Sequence, residues 1–253
     1  SYFPYYTESY ILYEELFSFN DTSYYSAKNQ ILEIDYVIKV FPKNKIGMKD
    51  RFINEISMLK KLDHPNIAHI YYHFEDDLFF LIVFENWKYT LKDYMKKYLI
   101  TNSSTSNDPI HGLPTNSIIL QILNGVRYVH QCGVVHLNLN LSTIVIDQYG
   151  NIKLMGFDYA FYDNNSDHSI LTSSLLEFDA PEILLKLSKK VSFSADIWSL
   201  GVIFYYLKIG KSPWPNTPDK KEKILLIESG KVNLTSKKDS SLSFILHQML
   251  VVN

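Results

Sequence analysis

Up to about Trp87 the hydrophobic positions fall in short strand-like runs, such as Tyr36-Val-Ile-Lys-Val-Phe41 and Leu78-Phe-Phe-Leu-Ile-Val-Phe84, each bounded by polar or turn residues. One segment breaks that rhythm. From Lys49 to Leu62 apolar residues recur at Phe52, Ile53, Ile56, Leu59 and Leu62, spacings of three and four that predict one helical face, and His64-Pro65 stops it. After Trp87 helical periods dominate, at Leu91 to Tyr98 and at Ser117 to His130, where Ile118, Ile119, Ile122, Val126 and Val129 form an apolar stripe. Short strands at Ile144 to Ile146 and Ile152 to Leu154 flank Tyr149-Gly150-Asn151, and Gly150 permits the tight turn of a hairpin. The polar stretch Thr101 to Asn107 and the segment Asp163 to Ser174 read as mobile surface loops. The pattern predicts an α+β chain with two lobes: residues 1–87 as a small antiparallel sheet lobe with one helix, and residues 88–253 as a larger, mainly helical lobe.

Composition narrows the functional classes. The chain has 253 residues, 46% of them hydrophobic, enough for a sizeable core and too many for a disordered tail. Aromatic residues make up 15%, so many rings must be buried or must meet a partner. A formal charge of −2 gives no footprint for nucleic acid or an anionic membrane. Cys132 is the single cysteine, which rules out an internal disulfide framework and a cysteine zinc site. With no apolar run of transmembrane length and no basic-then-apolar leader, the expected location is the cytoplasm.

Several ordered landmarks together resemble the eukaryotic protein-kinase family. Val37-Ile38-Lys39 matches the third-strand lysine motif, and Glu55 lies on the following helix where the family carries the lysine's carboxylate partner. His136-Leu137-Asn138 falls at the catalytic loop, Gly156-Phe157-Asp158 at the metal-binding Asp-Phe-Gly, Ala180-Pro181-Glu182 at the Ala-Pro-Glu, and Asp196-Ile-Trp-Ser-Leu-Gly201 at the large buried helix. The resemblance implies the two-lobed kinase fold. It also implies that Phe157, His136 and Leu59 stack into a spine, and that Asp196 holds the backbone of the catalytic loop.

Phosphoryl transfer in this family relies on a glycine loop over the phosphates, a lysine, metal-binding Asp and Asn residues, and an Asp that accepts the substrate proton. This chain departs at most of those positions. Phe17, Phe19 and Thr22 stand at the glycine positions, Asn138 at the base, Asn140 at the catalytic-loop lysine, Thr143 at the metal-binding Asn and Gly156 at the metal-binding Asp. A neutral amide is no general base, and a hydroxyl is a poor magnesium ligand. Lys39 and Glu55 persist, and read most simply as a partly exposed ion pair that orients the helix. Asp158 reads as a solvated or turn-capping carboxylate and an unfavourable substitute for a metal ligand. If nucleotide binds at all, the expected contacts are Lys39, Glu55, Glu85, Trp87 and Val145, with Phe84 as gatekeeper and residues 85–87 as hinge. Tyr24 and Val37 replace smaller residues around adenine, so the pocket is expected to be partly self-filled.

The expected function is therefore that of a catalytically inactive, kinase-like scaffold or allosteric regulator. No cofactor is expected, although ATP without efficient magnesium binding is compatible with the residues. A short match, Lys153-Leu-Met-Gly-Phe-Asp-Tyr159, is similar to the Scy-like pseudokinases and implies a protein partner, either an active kinase or a vesicle-traffic factor. Two alternatives remain: an unorthodox ATP-dependent Ser/Thr kinase of weak activity, and a metal-independent nucleotide sensor. In this family Glu182 pairs with an Arg further along the large lobe, and no such residue appears before Asn253, so the expectation is a C-terminally truncated fragment.

Overall fold

A computed structural model describes residues 4–100, 110–163, 176–185, 191–230, 232 and 240–251. Expectations for Thr101 to Asn107 and for most of Asp163 to Ser174 lie outside the described residues.

Six antiparallel strands form the first sheet: β1 (Tyr5–Tyr6), β2 (Tyr10–Phe19), β3 (Thr22–Asn29), β4 (Asp35–Pro42), β5 (Ile70–Glu75) and β6 (Phe79–Phe84), ordered β1-β2-β3-β4-β6-β5. The β2–β3 hairpin closes through Asn20 and Asp21, both at positive φ (49° and 62°), the backbone that matches a tight hairpin to strand twist. One sheet face has its own apolar layer, including Leu12, Tyr25, Ile38, Val40, Leu81 and Val83. The other packs on α1 (Met48–Leu59), inserted between β4 and β5 and buried through Met48, Phe52, Ile56, Met58 and Leu59. Ile53, expected on that apolar face, is instead half exposed at 51%. At 100° per residue it lies beside Phe52 and outside the stripe that meets the sheet.

Short elements lead into the helical region. β7 (Tyr89–Thr90) is followed by α2 (Leu91–Tyr94), capped by the Thr90 hydroxyl accepting from the Asp93 amide, and by a wider π-turn over Met95–Ile100. α3 (Thr115–Gln131) buries Ile118, Ile122, Val126 and Val129, with Ile119 half-buried. The following strands are β8 (Val134–Val135), β9 (Ile144–Ile146), β10 (Ile152–Leu154) and β11 (Phe161–Tyr162), with a 3₁₀ turn over Phe157–Tyr159 between the last two. The expected hairpin is β9–β10, and Gly150 takes φ 86° in its turn. α4 (Pro181–Leu184), α5 (Phe193–Ile209), α6 (Lys220–Glu228) and α7 (Ser240–Met249) complete the chain. α5 is apolar on nearly all sides because it is the core of this region, burying Trp198, Leu200, Val202, Ile203 and Tyr205.

One buried carboxylate shapes the site from below. Asp196, in the first turn of α5 and fully buried, accepts the backbone N–H groups of His136 (2.8 Å) and Leu137 (2.9 Å) and meets His130 Nε2 at 2.7 Å. Leu137 sits at φ 59°, a backbone that a non-glycine residue holds only when its surroundings enforce it. Replacing Asp196 by Ala should therefore orphan two buried donors and release that strain. Urea unfolding should show a loss of about 3 kcal/mol, and a loss within experimental error of zero would contradict this account.

Candidate functional site

Side chains from the six-stranded sheet, from α1 and from the 136–160 region meet in one buried cluster. Lys39 is on the central strand β4, between β3 and β6, so its side chain is delivered by the most rigid part of the sheet. Glu55 comes from α1, and Lys39 Nζ donates to its Oε2 at 2.6 Å. The pair is buried, at 1% and 0% exposure, rather than partly exposed as expected. The second Glu55 oxygen, Oε1, accepts the Phe157 amide at 3.2 Å. The carboxylate thus ties strand, helix and the 157–159 turn together.

The larger departure from expectation is Asp158. Its side chain is 1% exposed and turned inward, with Oδ1 3.1 Å from Lys39 Nζ, where a solvated, turn-capping residue was anticipated. The physical reason is Arg51, which sequence reasoning overlooked. Arg51 lies four residues before Glu55 on the same face of α1, and its Nε (3.0 Å) and Nη2 (2.5 Å) both donate to Asp158 Oδ2. Nη1 donates to the Asn20 carbonyl at 2.7 Å, so the guanidinium also holds the tip of the β2–β3 hairpin, and it lies 4.6 Å from the Tyr159 ring. Two basic and two acidic side chains make one buried quartet.

Neighbouring groups reinforce the turn. The Asn54 amide donates to the carbonyls of Ala160 (2.8 Å) and Asp158 (3.2 Å). His136 and Phe157 rings pack with centroids 4.4 Å apart, and Leu59 is buried in the hydrophobic core that contains Phe157. Gly156 adopts φ 78°, and a Cβ there would lie 2.9 Å from Thr143 Cγ2 and 3.0 Å from Asn138 Nδ2. A side chain at 156 would need space that Thr143 and Asn138 fill.

The 138–143 loop forms an amide and hydroxyl network closed on itself. Asn138 Nδ2 donates to the Gly156 carbonyl at 3.2 Å, and Asn140 Nδ2 donates to Asn138 Oδ1 at 3.2 Å. Thr143 Oγ1 donates to the Asn138 carbonyl at 2.6 Å, and Asn140 Oδ1 accepts the Ser142 amide at 2.8 Å. All three side chains are buried and internally satisfied.

At the expected adenine position, Tyr24 is 2% exposed, stacked on Phe17 at 4.4 Å and edge-on to Trp87 at 6.0 Å. Its ring centroid is 5.3 Å from Lys39 Nζ. Trp87 is 8% exposed and Val145 fully buried, whereas the Glu85 carboxylate turns away to the His69 amide (2.9 Å) and Lys153 (3.3 Å).

The electrostatics follow from burial against pairing. Burial, opposed by Lys39 and reinforced by the Asp158 charge, pushes the Glu55 carboxyl up to about 7. Burial also acts to raise Asp158, but Lys39 and Arg51 outweigh it and hold that carboxyl below its ordinary range. Burial alone would lower Lys39, yet the carboxylates of Asp158 and Glu55 keep it above the usual lysine value.

The protein kinase domain family matches residues 21–253, and the chain belongs to that family. It is 26% identical over 223 residues to calcium-dependent protein kinase 3 of Plasmodium yoelii yoelii and to the protein of the same name from Plasmodium berghei (strain Anka). Those alignments cover 87% of this chain but only 39% and 38% of the two relatives, so the chain spans less than two-fifths of their length.

The raised Glu55 carboxyl has a definite sign. Its contribution to stability is full below the ordinary 4.5 and is lost as pH rises through about 7. Asp158 acts oppositely, stabilising above its ordinary 3.8 and losing that effect only as pH falls through its depressed value. Comparing melting temperatures of the wild type and Glu55→Gln from pH 4.5 to 8 isolates the first effect. The variant should gain on the wild type as pH rises, and a pH-independent difference would contradict the assignment.

Proposed function

We propose that this kinase domain is a scaffold or allosteric regulator that acts through protein partners and does not transfer phosphate efficiently. The observation that carries this reading is that both Asp158 oxygens are taken by Lys39 and Arg51, beside an Asn138–Asn140–Thr143 network that is satisfied internally. The Lys39–Glu55 pair alone is what an active kinase requires, so it is the Asp158 contact that a nucleotide phosphate would have to displace. The surrounding donors support the same reading. Thr143 and Asn140 are occupied by backbone groups, Asn138 presents its NH₂ to Gly156, Gly156 has no side chain, and both Asp158 oxygens already meet cations. That set does not fit a divalent metal, which needs several free oxygens. Among the described residues, no group of three or more His, Cys, Asp or Glu side chains is arranged to hold one. Asn138 also offers no base for a substrate hydroxyl. The buried Tyr24 ring further opposes purine entry.

The partner is a protein. An active kinase or a vesicle-traffic factor is the working identity, and no helix among the described residues is long and apolar enough to cross a membrane. The test is a thermal-shift titration with ATP, with and without magnesium. No magnesium-dependent rise in melting temperature is expected up to millimolar nucleotide, and a clear rise would overturn the reading, because ligand that binds the folded state must stabilise it.

One observation favours a second reading, that of a weak, unorthodox ATP-dependent Ser/Thr kinase. Asp158 is turned into the cleft beside Lys39 instead of facing solvent, and the similar proteins are named as kinases. Transfer of label from ATP to a protein substrate, abolished in both Lys39→Ala and Asp158→Ala while the fold is retained, would establish it. Absence of transfer by the wild type removes it.

A further inference from the structure

A cavity of about 500 Å³ opens at the far end of the sheet and shares no residue with the Lys39–Asp158 cluster. It lies between the segment 5–10 and the end of β5 with the 76–77 turn. β1 and β5 are the two end strands of the sheet, and the Tyr5 hydroxyl donates to Asp76 Oδ2 at 2.7 Å, so the curled sheet brings both ends to this one place. One wall is aromatic. Tyr10 stacks on Phe74 with centroids 5.9 Å apart and rings 12° from parallel, and Tyr72 stacks on the same Phe74 at 6.0 Å. Tyr10 and Phe74 belong to the apolar layer on the sheet face away from α1, while Tyr72 is exposed.

The mouth is acidic. Glu8, Glu75, Asp76 and Asp77 line it, and the one ion pair there among the described residues joins Glu75 to Lys43. Asp76 is held by neutral donors, the Tyr5 hydroxyl and the amides of Leu78 and Phe79. Three carboxylates therefore border an aromatic wall without a counter-charge. Burial, the hydrogen bond to Asp76 and the charges of Asp76 and Asp77 push the Tyr5 phenol up to about 12, so it stays a neutral donor. Ring faces and carboxylates both attract a cation. An organic cation fits better than a metal, because rings supply no ligand oxygens and no group of three or more His, Cys, Asp or Glu among the described residues is arranged to hold an ion.

We propose that this cavity docks a basic side chain, arginine or lysine, of a partner's peptide segment, and that the adjoining sheet ends hold the segment's backbone. Strand ends without a neighbour offer free N–H and C=O groups to an added chain, and the volume suits one long side chain with its flanking residues. The β3–β4 turn adds an apolar footing. Gln30 donates from its amide to the Ser9 carbonyl (2.9 Å) and from Nε2 to the Thr7 carbonyl (2.9 Å), which fixes the turn beside the rim, with Ile31 and Leu32 exposed. This goes beyond the reading of the nucleotide cleft, since it needs neither ATP binding nor its absence.

The experiment uses a short fluorescently labelled peptide that alternates threonine and valine around one central arginine. A control peptide carries citrulline there, with the same shape and no charge. Fluorescence anisotropy should show the arginine peptide binding about tenfold tighter than the control. In the double variant Glu8→Gln/Asp77→Asn, whose two positions are exposed, that preference should vanish. Arginine amide alone should bind about tenfold more weakly than the arginine peptide. Equal affinity for the two peptides, a preference that survives the double variant, or no binding up to millimolar peptide overturns the proposal. Arginine amide binding as tightly as the peptide overturns the assignment to a peptide segment. A dimer seen by light scattering and dispersed by the double variant would give the cavity to a second copy of this chain instead. Because no arm contains magnesium or ATP, failure here is separable from failure of the nucleotide-inert reading.

Discussion

The cleft is organised around one electrostatic constraint: buried cations from the sheet and from α1 need buried anions, and the chain supplies them itself. Lys39 comes from a central strand, Arg51 and Glu55 from one face of α1, and Asp158 from the turn after β10. Burial of four charges is costly, and it is tolerated only because every one is paired and hydrogen-bonded. Such a network contributes less to net stability than to choosing one arrangement. Slipping α1 by one turn would break contacts to the hairpin tip, the strand and the Phe157 amide at once.

A second buried anchor works from below. Asp196 fixes the His136–Leu137 backbone, which places Asn138 against Gly156 and the Phe157 ring against His136. The residues that orient the helix and the loop are present and well satisfied, while the 138–143 loop carries two amides and a hydroxyl bonded to one another and position 156 carries no side chain. Gly156 is left-handed, and a Cβ there would crowd Thr143 and Asn138.

Much of this was legible in the sequence because it is written in contiguous segments. Strand β4 with Lys39, the helical period around Glu55, the β9–β10 hairpin and the Asp196 helix each carry a local signature. Tyr24, which the resemblance put beside the adenine position, is buried against Phe17 and Trp87. What sequence could not show was the pairing of Arg51 with Asp158, residues 107 positions apart. Arg51 looked like one more charge on an amphipathic helix, and Asp158 like a turn residue. Only the sheet curling over α1 brings them together, and with that contact the exposure expected of Lys39 and Asp158 disappears. The one available signal was that Arg51 and Glu55 share a helix face at a spacing of four.

The central claim is that the protein's own carboxylates hold the cations that a triphosphate would need. A crystal structure of the chain grown with magnesium and a non-hydrolysable ATP analogue tests it most directly. The account predicts Lys39 still bonded to Glu55 and Asp158, Arg51 still on Asp158, and no ordered triphosphate in the cleft. An ordered triphosphate bridged by magnesium, with Lys39 drawn onto its phosphates and Asp158 among the metal's ligands, would contradict it.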